Sequence, residues 1–248
     1  MGDDNEEPTS NDKILRGFLT LKQPQNGYRF NLDAILLADF VQLGAKTLKV
    51  ADFCAGVGTI GLLIAKRFPR AHVTLLEVQE QMAYLGQENI VQNQLEDRVQ
   101  MKRCDLADPQ LQHGGPYDVI VSCPPYFAIS TGQSASLVNK ATARQEGQLS
   151  LEQLISAAQK ASSSSTVFSV VYPSDRSTEL LITLNLYGFI AHKIRFVHTV
   201  EGQPAKRILL ETKRNFRGGV KILPPWFIRD KLGNYTDEAH QLLEGTSW

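Results

Sequence analysis

From Leu48 onward, short apolar runs alternate with segments whose apolar residues recur at helical spacing. The first kind reads as strands buried on both faces, the second as amphipathic helices. LKVADF predicts a strand that ends at a glycine-rich turn, and Thr59 to Phe68 predicts a helix that Pro69 stops. HVTLLE predicts a second strand and Gln79 to Asn93 a second helix, while QMKRC (100–104) and YDVIVS (117–122) predict two further strands. Ser150-Leu-Glu-Gln has the form of a capping box that opens a helix. TVFSVVY then predicts a strand, Ser174 to Tyr187 a helix, and FIAHKIRFV and AKRILLE a last pair of strands. Ahead of these, GFLTLKQPQNGYRF alternates as a small hairpin or extended arm would, and Asn31 or Asp33 caps a helix over Asp33 to Gln42.

Strands that alternate with helices predict an α/β fold, Rossmann-like, with a mainly parallel sheet covered on both faces. The last two strands have no helix between them, so one must run backwards, as an antiparallel edge strand in a sheet of about seven. Residues 1–16 read as an acidic, disordered tail and 17–248 as a single domain, with 17–47 as its lead-in arm and helix. The stretch from Phe127 to Gly147 is long and polar, the mark of a functional or disordered loop. Ligands of such sheets bind outside the carboxyl ends of the strands, where the strand order reverses.

At 248 residues the chain can bury a sizeable core, and no apolar run reaches the roughly 18 residues of a membrane helix. Residues 1–12 hold five acidic and no basic side chains, unlike a targeting peptide, so the expected location is cytoplasmic. Cys54, Cys104 and Cys123 form no CxxC pair, so neither a disulfide framework nor a bound metal is expected. The formal net charge is zero, yet residues 193–221 hold eight Lys or Arg against two Glu. That run is either a solvated hairpin or a phosphate-binding face on one edge of the molecule.

The glycine-rich turn is Asp52-Phe-Cys-Ala-Gly56-Val-Gly58-Thr-Ile-Gly61, between the first strand of the series and its helix. Gly56 and Gly58 let the backbone turn tightly and approach a ligand. A dinucleotide site needs the helix N-terminus free to face a pyrophosphate. Asp52, four positions before Gly56, would repel one but suits a cationic, amino-bearing ligand such as S-adenosyl-L-methionine. Glu77 ends the second strand, where a carboxylate accepts from both hydroxyls of a ribose. Asp105 ends the third and is placed to accept from the exocyclic amine of an adenine.

After the fourth strand comes VSCPPYF, which resembles the NPPY or DPPY motif of amino-methyltransferases acting on adenine N6, guanine N2 or a glutamine amide. Within that class the chain resembles the tRNA1(Val) adenine-37 N6-methyltransferase-like family, from about Gly17 onward. The lead-in GYRFNLDAILLADF, the loop DFCAGVGTIGL, LLEVQEQMAYLGQENIVQN, VSCPPYF and the tail GNYTDEAHQLL carry the resemblance. It implies a Rossmann-like class I methyltransferase that uses S-adenosyl-L-methionine and acts on RNA, most directly on tRNA. It also implies Cys123, Pro124, Pro125 and Tyr126 as the catalytic turn, with Arg29, Phe30, Asp52, Cys54, Gly56, Gly58, Glu77 and Asp105 around the cofactor. Phe127, Lys140, Arg144, Lys206 and Arg207 are the expected substrate contacts.

One position departs from the motif. Cys123 stands where the family has Asn, and a sulfur is a far weaker acceptor than an amide carbonyl. Ser122 cannot replace it, because along a strand it points to the other face. The loss of one hydrogen bond, about 1 to 3 kcal/mol, lowers the rate by about one to two decades. Weakened catalysis with the Pro124 carbonyl holding the amine, a different acceptor, and a cofactor-binding protein without transfer are all open readings, as is a methyl-accepting cysteine. A protein glutamine-amide methyltransferase and an rRNA guanine-N2 methyltransferase are the alternative enzymes.

Overall fold

The computed structural model describes residues 8–26, 29, 31–44, 48–108, 110, 114–125, 149–246 and 248. The loop expected over 127–147 lies outside them. The chain opens with β1 (Thr9–Ile14) and β2 (Leu19–Pro24), an antiparallel hairpin in which Ile14 faces Leu19 and Thr9 faces Pro24. The polar tail expected over 1–16 therefore does not extend to Thr9–Ile14. Its polar residues are used within the hairpin, where Asp12 accepts from Ser10 and Gln23.

Next comes α1 (Leu32–Phe40), capped by Asn31, whose side chain accepts from the Ala34 amide at 3.3 Å. The α/β series follows: β3 (Lys49–Phe53), α2 (Thr59–Arg67), β4 (His72–Glu77), α3 (Glu80–Gln92), β5 (Val99–Arg103) and β6 (Tyr117–Ser122). Then come α4 (Leu151–Lys160), β7 (Ser162–Pro173), α5 (Ser177–Leu186), β8 (Phe189–Val200) and β9 (Ala205–Arg214). Ser150 and Gln153 form the expected capping box at α4. Two short strands, β10 (Lys221–Ile222) and β11 (Trp226–Arg229), and α6 (Asp237–Leu243) complete the described elements.

The sheet runs β10-β8-β9-β7-β6-β3-β4-β5, with β11 also paired to β8. β7, β6, β3, β4 and β5 are parallel; β9 is antiparallel to both its neighbours. The reversed strand thus lies between β7 and β8, inside the sheet and not at the edge that the sequence pattern assigns it. The reason is geometric. The crossover through α5 sets β8 two strand positions from β7, and the short turn after β8 returns β9 into the gap. Burial on both faces accounts for the apolar runs. Val50, Val119 and Val121 pack with α1, α2 and the hairpin, whereas Ala51, Phe53 and Ile120 pack with α4 and α5.

The C-terminal segment joins the first of these cores. Trp226 is 2% exposed, Thr236 caps α6 by accepting from the Ala239 amide at 3.2 Å, and Trp248 lies 5.9 Å from the Phe18 ring. Trp226→Ala should cost about 3 to 5 kcal/mol, read as a lower denaturation midpoint in urea. A loss below about 1 kcal/mol would show that the segment adds little to the fold.

Candidate active site

β3 and β6 are adjacent and parallel, and their last paired residues are Phe53 and Ser122. β4 lies on the other side of β3, so the chain leaves β3 at the point where the strand order reverses. Two features of the sequence shape the turn there. Gly58 has φ +89°, and a Cβ on it would stand 2.8 Å from the Leu75 side chain, so only glycine fits before α2. Cys54 also takes a positive φ, +61°, without being glycine. Ala55 donates to the Leu76 carbonyl at 3.0 Å, which ties the start of the turn to β4.

Asp52 is fully buried beneath this loop and accepts from the Gly61 amide in the first turn of α2 at 2.9 Å. Its other oxygen has no hydrogen-bond partner among the described residues. Burial pushes its pKa up to about 7; the Gly61 bond opposes the rise and the nearby Glu77 charge adds to it. Asp52 thus ties the end of β3 to the first turn of α2.

Glu77 ends β4 with 5% exposure. One carboxylate oxygen accepts from the Gly56 amide at 2.8 Å, and the other from Val78 at 3.0 Å and Gln79 at 2.9 Å. Asp105, after β5, is exposed and accepts from the Ala107 amide at 2.8 Å. Three carboxyl groups thus stand at or just beyond the carboxyl ends of neighbouring strands, with Asp52 sealed, Glu77 nearly so and Asp105 at the rim.

Cys123 follows β6 and is 8% exposed. Ser122 is buried and donates to the Phe53 carbonyl at 2.8 Å, so it faces away from any substrate as strand alternation requires. Burial and the neighbouring Glu77 and Asp52 carboxyls push the Cys54 thiol pKa up. Cys54, Gly56, Thr59 and Cys123 line one pocket, which Ala34 of α1 and Met82 of α3 complete. Neither Ala34 nor Met82 is marked by the local motif; only their positions on apolar helix faces point inward.

Other expected contacts lie elsewhere. Arg29 pairs with Asp12 at 2.7 Å and donates to Ser10 and the Pro24 carbonyl, so its described bonds tie it to the hairpin. Arg207 is bound to Asp33 of α1 at 2.7 Å. Within the basic stretch, Lys193 pairs with Glu211, Arg195 with Glu238, Lys213 bonds His192 and Arg214 donates to the Tyr187 carbonyl. Most of the charge expected to meet phosphate is therefore held by internal partners, and Lys206, Arg217 and Lys221 are the exposed residues of the run. Phe30, Tyr126, Phe127, Lys140 and Arg144 lie outside the described residues. Among the described residues no helix is long and apolar enough to cross a membrane.

The strand order, the glycine turn and the carboxylate at the end of the next strand define a class I methyltransferase. A family model, the methyltransferase small domain, matches residues 32–181. Among solved structures, a predicted O-methyltransferase, Atu636 from Agrobacterium tumefaciens, superposes with TM-score 0.67 at 21% identity, over 86% of this chain and 96% of its own. M. jannaschii TYW2 in complex with AdoMet superposes with TM-score 0.56 at 15% identity, over 85% and 88%. The tRNA1(Val) (adenine(37)-N6)-methyltransferase of Yersinia enterocolitica is 32% identical over 213 residues, 85% of this chain and 82% of the relative. The chain belongs to the methyltransferase small domain family and, within it, to the tRNA1(Val) (adenine(37)-N6)-methyltransferase-like family. Family membership implies S-adenosyl-L-methionine as methyl donor, and the residues present fit it, with an apolar pocket at a glycine turn whose Gly56 amide is bound by Glu77.

A carboxyl with a raised folded-state pKa contributes stability below its unfolded value, 3.8, and loses it as pH rises through about 7. Asp52→Asn retains an acceptor for the Gly61 amide and removes this titration. Its urea midpoint should therefore fall less than that of the wild type between about pH 4 and pH 7. Equal slopes would show that Asp52 titrates normally.

Proposed function

We propose that this methyltransferase transfers a methyl group from S-adenosyl-L-methionine to the N6 amine of an adenine in tRNA, in the cytoplasm. The observation that supports this most is that Cys54 and Cys123, one from each turn, line the same pocket. The turn suited to hold a planar amine therefore starts beside the turn suited to hold the donor. When bound, the donor supplies an electrophilic methyl group open to in-line attack by a nitrogen lone pair.

The chain's own residues supply position and electrostatics. Glu77 accepts three amide hydrogens, and a carboxylate offers about four lone-pair directions, which leaves capacity for a ribose hydroxyl. Asp105 at the rim suits the adenine amine of the donor. Pro124 and Pro125 have no N–H, so their turn presents carbonyl acceptors without a competing donor. With a thiol at 123, the Pro124 carbonyl is the stronger acceptor for the target amine. That bond would direct the nitrogen lone pair toward the methyl group. Tyr126 and Phe127 suit stacking on a base turned out of its helix, and Lys140, Arg144 and exposed Lys206 suit phosphate contacts. Arg207 is assigned a supporting role, since it holds α1, and with it Ala34, against β9.

Purified protein with methyl-labelled S-adenosyl-L-methionine and separate pools of tRNA, rRNA and protein tests the reading. Label should appear as N6-methyladenosine in tRNA. Label in a protein glutamine or an rRNA guanine would overturn the substrate, and tight donor binding without transfer to any pool would overturn the activity. Cys123→Asn should raise kcat about tenfold or more, with little change in donor affinity. An unchanged or lower kcat would show that the amine is held without that side chain.

A further inference from the structure

Asn89 lies inside α3 and is fully buried. A buried carboxamide must place an acceptor oxygen and two donor hydrogens. Its oxygen accepts from the Lys22 amide at 2.6 Å and from Gln92 at 2.8 Å. Its nitrogen donates to the Lys22 carbonyl at 2.9 Å and to the Val57 carbonyl at 3.0 Å. Lys22 belongs to β2, whose opposite edge pairs with β1. Toward that residue Asn89 therefore behaves as a neighbouring strand would. Val57 lies between Gly56 and Gly58, at the tip of the cofactor turn, so one carboxamide joins the N-terminal hairpin to that turn.

The approach is close because of what stands one helical turn earlier. A Cβ on Gly86 would lie 2.1 Å from the Met101 methyl and 3.5 Å from the Gly56 carbonyl oxygen. Val57 also packs with Met82 and Leu85 of the same helix. α3 carries an internal control as well. Asn93 accepts from the Thr20 amide at 3.1 Å and donates to the Thr20 carbonyl at 2.7 Å, and its remaining bond is to the Asn89 carbonyl. It grips the same hairpin, and its described bonds do not include the turn.

We infer that Asn89 is a positioning residue for the donor site, and that it makes the N-terminal hairpin part of that site. The inference rests on the reading of the glycine turn as the donor cradle. By fixing the Val57 carbonyl, Asn89 holds Gly56 and Gly58 in their left-handed conformations before any ligand arrives, which lowers the ordering cost of binding.

The test compares Asn89→Ala, Asn89→Asp and Asn93→Ala in the full chain. Thermal midpoint, amide hydrogen exchange without ligand, and calorimetric affinity for S-adenosylhomocysteine are measured for each. Asn89→Asp keeps the shape and the acceptor for Lys22 but loses both N–H donors, so it serves if the alanine variant does not fold. All three variants should speed exchange in β2. Only the Asn89 variants should speed exchange across residues 55–59 and weaken ligand binding, by about tenfold. Turn exchange and affinity that match those of Asn93→Ala would overturn the inference. A wild type that does not bind S-adenosylhomocysteine would instead overturn the donor reading, and turn exchange would still decide whether Asn89 holds the loop.

Discussion

The glycine turn is held from beneath by two carboxyl groups, and the geometry of the site follows from that. Asp52 pulls the start of α2 down through the Gly61 amide, while Glu77 pulls Gly56 toward the end of β4. A hydrogen bond to a charged acceptor contributes about 1.5 to 3 kcal/mol, whereas sealing an ion from water costs several. At Asp52 the second effect wins, and its pKa rises to about 7. Glu77, by contrast, has three amide donors around it.

Topology decides where that charge is presented. β3 has β4 on one side and β6 on the other, so the turns after β3 and β6 open side by side. Ser122 stitches them by donating to the Phe53 carbonyl. The pocket is closed from above by α1, which the Asp33–Arg207 ion pair holds against β9. Asp33 and Arg207 are 174 positions apart in sequence. The reversed strand thus has a role at the site, because its first residues reach the carboxyl ends of the parallel strands and meet α1 there.

The α/β order was legible because each strand of the series is an unbroken apolar run and each helix has its cap or stop, as at Ser150 and Pro69. The glycine turn, Glu77 and the CPP turn were legible for a similar reason, since each lies where a predicted strand ends. What escaped was set by tertiary partners. β1 reads as a polar tail because its polar side chains bond to one another, to Gln23 of β2 and to Arg29, and only Ile14 at its end joins the core. The basic run reads as a phosphate face, yet several of its charges are held by Glu211 across the β8–β9 pair and by Glu238 and Asp33 from elements outside the run. Asn89 carries no local mark at all. A polar residue in a helix usually faces water, and only the arrival of β2 and Val57 on the same side makes it a fully bonded interior group.

Cys54 shows why so many tethers converge on one turn. A non-glycine residue in the left-handed region costs roughly 1 to 2 kcal/mol and persists only where its surroundings impose it. Here the imposition comes from four directions. Leu76 accepts from Ala55, Glu77 from Gly56 and Asp52 from Gly61, while Asn89 fixes the Val57 carbonyl. A cysteine at this position is therefore tolerated because the turn is over-determined. Cys123 has no comparable compensation for its acceptor role: the two prolines after it supply backbone carbonyls, but its sulfur cannot accept as an amide would. The strained thiol belongs to the better-supported half of the site, and Cys123 to the half on which the proposed transfer rests.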